Sequence, residues 1–272
     1  MKSRKFLYRS YRYFLILLVF LLPLLRNASL PESFDNNVYA YFIHDFGGVY
    51  ATQSIDMMYL IMAVVPNLFL IYIFSDMMRE DCLVNYVYVF TRMGKKQKWL
   101  FQKTAQLFLQ VLITYTLLFG LSFVIAGAAG MQFHSFDFSL FKMIADMFFL
   151  NVLSIFLMAF LQNFLSLHFG STLSFLFVVL LYLSSLIAAF IFFHAGGASN
   201  VILKLLIPSN QMYIWHIDAH AIPGAAELLN NPLNGFRVDY SLTILIIYII
   251  VSYQIARYFF VKCDSMEMMK EA

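Results

Sequence analysis

Residues Thr172–Phe193 read TLSFLFVVLLYLSSLIAAFIFF. The run holds no acidic, basic or imidazole side chain, and its only polar groups are the hydroxyls of Thr172, Ser174, Tyr182, Ser184 and Ser185. At about 1.5 Å per helical residue it is long enough to cross roughly 30 Å of hydrocarbon. A soluble strand or core helix needs neither that length nor that uniformity, so the stretch is read as a membrane span.

Five more segments are read the same way: near Tyr11–Leu25, Ile55–Phe74, Ala105–Ala128, Ile144–Leu167 and Leu242–Val261. The first is the shortest, with Pro23 near its end; the second carries Pro66 and Asn67 in its middle. A basic start followed by a short apolar run is also a signal-peptide pattern. Leu25 is followed by Arg26-Asn27-Ala28-Ser29, which offers no small-x-small cleavage site, and the segment is read as a retained span. The whole composition agrees. Of 272 residues, 62% are hydrophobic and 12% charged, against roughly 45–50% and 25% in soluble domains. So few charges cannot clothe a wet globule of this size, which excludes a soluble enzyme, a nucleic-acid binder and a disordered chain. The expected fold is an all-α polytopic membrane protein of six transmembrane helices forming a single domain over 1–272.

The net charge of +3 matters less than its placement. Lys2, Arg4, Lys5, Arg9 and Arg12 precede the first span; Arg79, Arg92, Lys95, Lys96, Lys98 and Lys103 lie between the second and third; Arg257, Lys262 and Lys270 end the chain. Only Arg26, Lys142, Lys204 and Arg237 fall on the other side. The positive-inside rule then puts both termini in the cytoplasm. Cys82 and Cys263 fall on that reducing side and are read as two unpaired thiols.

Charged groups inside spans usually mark ion sites, proton relays or catalysis. Every glutamate lies outside the spans, and Asp56 and Asp146 sit at their predicted outer ends. A proton-coupled carrier or a glutamate-dependent intramembrane protease would need a charge at a span centre, so both are disfavoured. The pair His216 and His220 has the i, i+4 spacing of two metal ligands but no glutamate between them, and is read as a loop-surface pair. The chain has no G-x-x-x-x-G-K-[ST] phosphate loop, so it cannot bind and hydrolyse ATP by that route. The expectation is no catalytic residue, no metal and no cofactor in this chain.

Milder polarity recurs on helix faces. Gln106, Gln110 and Thr114 repeat every four residues in the third span, and Asn151, Ser154, Met158 and Gln162 line one side of the fourth. Asn67 follows Pro66, where the helix loses a backbone donor. Buried amides in lipid either tie helices together or face a substrate. Asn67, Gln106, Gln110, Asn151 and Gln162 are the candidate pathway residues.

The cytoplasmic segment 76–103 is neither apolar enough to span nor polar enough for a plain loop. Leu83, Val84, Val87 and Phe90 would share one helical face, though the run Val-Tyr-Val-Tyr-Val also fits a strand. Such a segment lies at the membrane surface or docks a partner. It leads into Thr91-Arg92-Met93-Gly94-Lys95-Lys96-Gln97-Lys98-Trp99.

This plan resembles the permease subunits of type-2 ABC exporters, especially small permeases linked to antimicrobial-peptide export or immunity in Gram-positive bacteria. The likeness covers most of the chain as a layout and the 91–99 turn as residues. It implies a surface helix including Phe6–Tyr11 and an ATPase-coupling element at Leu83–Phe90, with Arg92, Lys95 and Lys96 beside it. It also implies a separate cytoplasmic ABC ATPase carrying ATP and Mg, and a second permease chain, identical or homologous. The extracellular loop 195–240 would form a cap, with 219–229 as a re-entrant or surface helix. The expected role is export of an amphipathic peptide or hydrophobic compound across a bacterial cell membrane. A non-pumping immunity or sensor protein that binds a peptide is the alternative.

Overall fold

Hydrocarbon offers no hydrogen-bond partners, so a chain this apolar must satisfy its backbone within helices. The computed structural model describes residues 2–28, 38–49, 57–82, 96–131, 138–196, 199–221 and 233–262, and these are helical with short connections and contain no strand. The elements are α1 (Lys2–Ala28), α2 (Val38–Phe46), α3 (Met57–Ile73), α4 (Lys96–Ala128), α5 (Phe138–Phe169), α6 (Ser171–Ala195), α7 (Ser199–Leu203), α8 (Ile207–Gln211) and α9 (Val238–Lys262). Two 3-10 turns, Tyr213–Trp215 and Ile217–Ala221, fall between α8 and α9.

Among the described residues five helices are long and apolar enough to cross a membrane: Leu60–Cys82, which continues α3 past a turn, and α4, α5, α6 and α9. The chain is therefore a multi-pass membrane protein. A shorter apolar stretch, Tyr13–Leu25, lies within α1. The expected surface helix and first span prove to be one uninterrupted helix. Pro23 sits inside it, near its end. α3 stays within its expected span, whereas α4, α5, α6 and α9 overrun theirs, α4 by nine residues because it starts at Lys96 rather than Ala105. The basic turn is helical from Lys96 onward, so charge did not end the helix.

The helices surround α5, which touches α2, α3, α4, α6, α8 and α9. Its most apolar window is 61% buried, against 11% for α9, which places α5 at the centre and α9 at the rim. Large apolar side chains on the rim, such as Leu180, Ile187, Ile246, Ile250 and Phe259, are exposed, as suits side chains in lipid. A single residue, Gly170, joins α5 to α6 with φ of 79°, a conformation that glycine adopts without the steric cost of a Cβ.

One end of the bundle gathers the basic residues. Trp99 stacks on Phe260 at 5.2 Å, Arg257 donates to Gln97 at 3.3 Å, and Lys103 pairs with Asp81. The early part of α1 lies there too, since Tyr13 and Ile16 share a groove with Ile73, Phe74, Gln106 and Gln110. The described beginnings of α1 and ending of α9 thus share one end.

The opposite end is built around α2, a nine-residue helix that the apolar pattern did not reveal. Most of it is buried, including Phe42 and Ile43. The chain leaves α2 through Gly47 and Gly48; a Cβ on Gly48 would lie 2.6 Å from Met212 Cγ, and its φ is 103°. That close approach lets Gly47 O accept from Ile214 N at 3.1 Å and Val49 O accept from Trp215 Nε1 at 2.9 Å. The segment after α8 is thereby fastened to the start of the chain.

Candidate functional site

Beside α2 lies a part-open cavity of about 50 Å³. Four long elements position its polar side chains. Pro66 removes a backbone donor from α3, and the next residue turns an amide to the gap: Asn67 Nδ2 donates to Ala63 O at 3.1 Å. Its Oδ1 accepts from Tyr115 of α4 at 3.3 Å. Asn151 of α5 donates through Nδ2 to Phe46 O at 3.0 Å and Met147 O at 2.8 Å. Its Oδ1 accepts from Gln211 Nε2 at 2.9 Å, and Gln211 Oε1 accepts from Tyr182 of α6 at 3.2 Å. Asp45, in the last turn of α2, completes the polar wall, while Phe20, Leu24, Phe46, Val49 and Met62 supply the apolar one.

Amides and phenols buried in a low-dielectric interior are costly unless paired, and here they pair with one another. The network ties α3 to α4 and joins α2, α5, α6 and α8. The cavity has room for a few waters or a small ligand head, not for a folded peptide.

Of the expected pathway residues, the structure brings Asn67 and Asn151 to this cavity. Gln106 and Gln110 lie elsewhere, in a groove of about 250 Å³ between α1, α3 and α4, where Lys103 donates to Gln106 at 3.1 Å. Gln162 sits at the α5–α6 hairpin, donating to Ser171 O at 3.2 Å. Asp45, Tyr115, Tyr182 and Gln211 were missed by the sequence reading. Gln211 ends the short helix α8 inside a stretch whose sequence reads as a loop without periodicity, and the tyrosines look like any others among 17.

Leu83, Val84, Val87, Phe90, Arg92 and Lys95 lie outside the described residues, as does Cys263; Lys96 is the first residue of α4. The 222–229 part of the expected cap helix is outside them as well.

The histidine reading needs correcting. His216 is fully buried rather than on a loop surface. Its Nε2 lies 2.7 Å from Ser241 Oγ, its Nδ1 3.2 Å from Tyr213 O, and its ring stacks on Phe236 at 4.2 Å. Burial pushes its pKa down to about 4, against the weaker upward pull of the Tyr213 and Met212 backbone and Asp218. Asp218 in turn accepts the Val238 N–H at 2.9 Å, satisfying a donor at the start of α9. Together they latch the far-end segment to α9. Among the described residues no group of three His, Cys, Asp or Glu could hold a metal ion.

A family model described as protein of unknown function (DUF2705) matches residues 12–266, and the chain belongs to that family. No curated protein and no solved structure matches significantly.

Proposed function

We propose that this DUF2705 family member is the membrane-spanning subunit of an ATP-driven ABC exporter in a bacterial cell membrane. In this reading a separate cytoplasmic ABC ATPase binds ATP and Mg, and two permease chains, identical or homologous, frame the path. The cargo is an amphipathic peptide or hydrophobic compound, and the chain itself is no enzyme.

The observation that carries the reading is the way one end of the bundle is tied together. Residues 77–82 and the start of α4 flank segment 83–95. Lys103 pairs with Asp81 across that junction, Trp99 stacks on Phe260, and Asn163 of α5 bonds to Phe74 and Met78. A partner pressing on 83–95 would therefore move α3, α4, α5 and α9 together. The small cavity within one chain also favours a path between chains over one through a single bundle. ATP would bias such a dimer because it binds the closed ATPase pair better than the open one.

The test is purification of the tagged full chain in mild detergent, with identification of copurifying proteins and an ATP hydrolysis assay. The expected result is an ABC ATPase whose association or coupling is lost on the combined reversal Arg92→Glu, Lys95→Glu and Lys96→Glu. A lone chain with no ATPase overturns the exporter reading and favours a non-pumping immunity or sensor protein.

A further inference from the structure

The groove between α1, α3 and α4 sets open hydrogen-bonding groups into an apolar wall. Three polar side chains line it: Tyr13 of α1, and Gln106 and Gln110 of α4. Lys103 Nζ holds Gln106 Oε1 at 3.1 Å, which leaves the Nε2 donors of that amide open. Thr114 bonds to the backbone carbonyl of Gln110 rather than to its amide. Among the described residues neither the Gln110 amide nor the Tyr13 hydroxyl has a hydrogen-bond partner. Hydrocarbon cannot supply one, so such groups call for a ligand with acceptors. The remaining lining is apolar, with Ile16 buried and Leu109 and Ile113 exposed.

Order along α4 says which ligand. Lys98, Gln106, Gln110 and Ile113 follow one another from the basic end inward, so the helix passes from cation through amides to alkyl over about 22 Å. A glycerophospholipid has the same sequence of groups: phosphodiester, ester carbonyls, acyl chain. Its ester carbonyls accept and never donate, which suits the open N–H and O–H groups. Lys98 is exposed at the basic end, as is Arg257, and a basic rim favours an anionic head. The groove measures about 250 Å³. A cavity of about 150 Å³ takes benzene, so this one takes on the order of ten carbon atoms, one chain's upper part and its ester. We infer that the groove holds one acyl chain of an anionic diacyl phospholipid from the leaflet at the basic end. Gln106, Gln110 and Tyr13 donate to its ester, and Lys98 faces its phosphate. The site belongs to a single chain and does not rest on the exporter reading.

The experiment uses the full chain in maltoside micelles, with native mass spectrometry counting bound lipid as phosphatidylglycerol is titrated. Two probes share headgroup and chain length and differ in linkage, ester against ether, the ether form having no carbonyl. The expected result is one retained ester lipid per chain, with the ether form held about fivefold more weakly. Gln110→Leu removes no hydrogen bond within the protein and suits a lipid-facing helix, so the variant is expected to fold. It should weaken the ester form about fivefold and leave the ether form unchanged. Lys98→Gln should lower the preference for phosphatidylglycerol over phosphatidylcholine about fivefold. Equal affinity of the two linkages, unchanged affinity in Gln110→Leu, or unchanged preference in Lys98→Gln overturns the inference. So does a chain that retains no lipid and forms a dimer dissolved by Gln110→Leu, which assigns the face to a second copy. Because ATPase copurification does not involve Gln110, failure here is distinguishable from failure of the exporter reading.

Discussion

Asn163 Oδ1 accepts the backbone N–H of Met78 at 3.0 Å, joining α5 to a residue 85 positions earlier in the chain. The same side chain donates to Phe74 O at 2.5 Å and to Ala159 O at 2.8 Å. Between Phe74 and Met78 the helical ladder is interrupted by a turn, and one amide takes up groups on both sides of the break. The result is a fixed elbow between α3 and residues 77–82.

Removing that amide leaves a buried donor and a buried acceptor without partners, each worth about 1–3 kcal/mol. Asn163→Leu is expected to destabilise the protein by about 2–4 kcal/mol, measured by unfolding in mixed micelles. Asn163→Asp keeps the acceptor and is expected to fall between wild type and Asn163→Leu at a pH where the carboxyl is protonated. Equal stability of Asn163→Leu and wild type would show that the elbow does not depend on this side chain.

Gly48→Ala should be among the most damaging single-methyl changes in the chain. The added Cβ meets Met212 Cγ at 2.6 Å and Cβ at 2.8 Å, and the backbone is already at positive φ. Loss of at least about 2 kcal/mol is expected, from strain and overpacking combined. Gly120→Ala is the control, since nothing lies within 4 Å of its built Cβ. Comparing their melting temperatures in one detergent checks the claim.

The Asn151–Gln211 bond should be measurable as a coupling. A double-mutant cycle with Asn151→Leu and Gln211→Leu is expected to return about 0.5–2 kcal/mol of interaction energy, the range for amide contacts in lipid. A coupling near zero would mean that the 2.9 Å contact merely accompanies the packing of α5 against α8.

His216 gives the far end a pH dependence of known sign. Its folded pKa, about 4, lies below the ordinary value of 6.5, so folding favours the neutral ring. The stabilisation is fully present above pH 6.5 and is lost as pH falls towards 4, because the unfolded chain then takes up the proton first. Up to about 3 kcal/mol is at stake over that interval. His216→Gln should flatten this part of the stability profile. An unchanged slope between pH 6.5 and 4 in that variant would assign the dependence to other groups.

The membrane-crossing helices were legible because an apolar run near 20 residues has few other physical explanations. What escaped notice was shorter or more mixed. The helix Val38–Phe46 contains tyrosines, a histidine and an aspartate, and its burial depends on α1, α4 and α5 packing around it. Phe6–Tyr11 was expected within a separate surface helix, since periodicity cannot say whether a charged helix continues into an apolar one. The four-residue repeat of Gln106, Gln110 and Thr114 did mark one face. Yet Thr114 spends its hydroxyl on Gln110 O, whereas both glutamines line the groove. Asn67 and Asn151 were singled out as polar residues in spans, but their convergence on one cavity is a tertiary fact that spacing along separate helices does not contain.

The chain's two tryptophans sit at opposite ends of the bundle, Trp99 against Phe260 and Trp215 between Phe190 and Phe193. Each end therefore carries its own native fluorophore. Replacing either one with phenylalanine isolates the emission of the other, and quenchers placed at known lipid depths then report each end separately. A shift confined to Trp99 would signal an event at the basic end, and one confined to Trp215 an event at the α2 end. Movement of both together would be the optical signature of a bundle that tilts as one body.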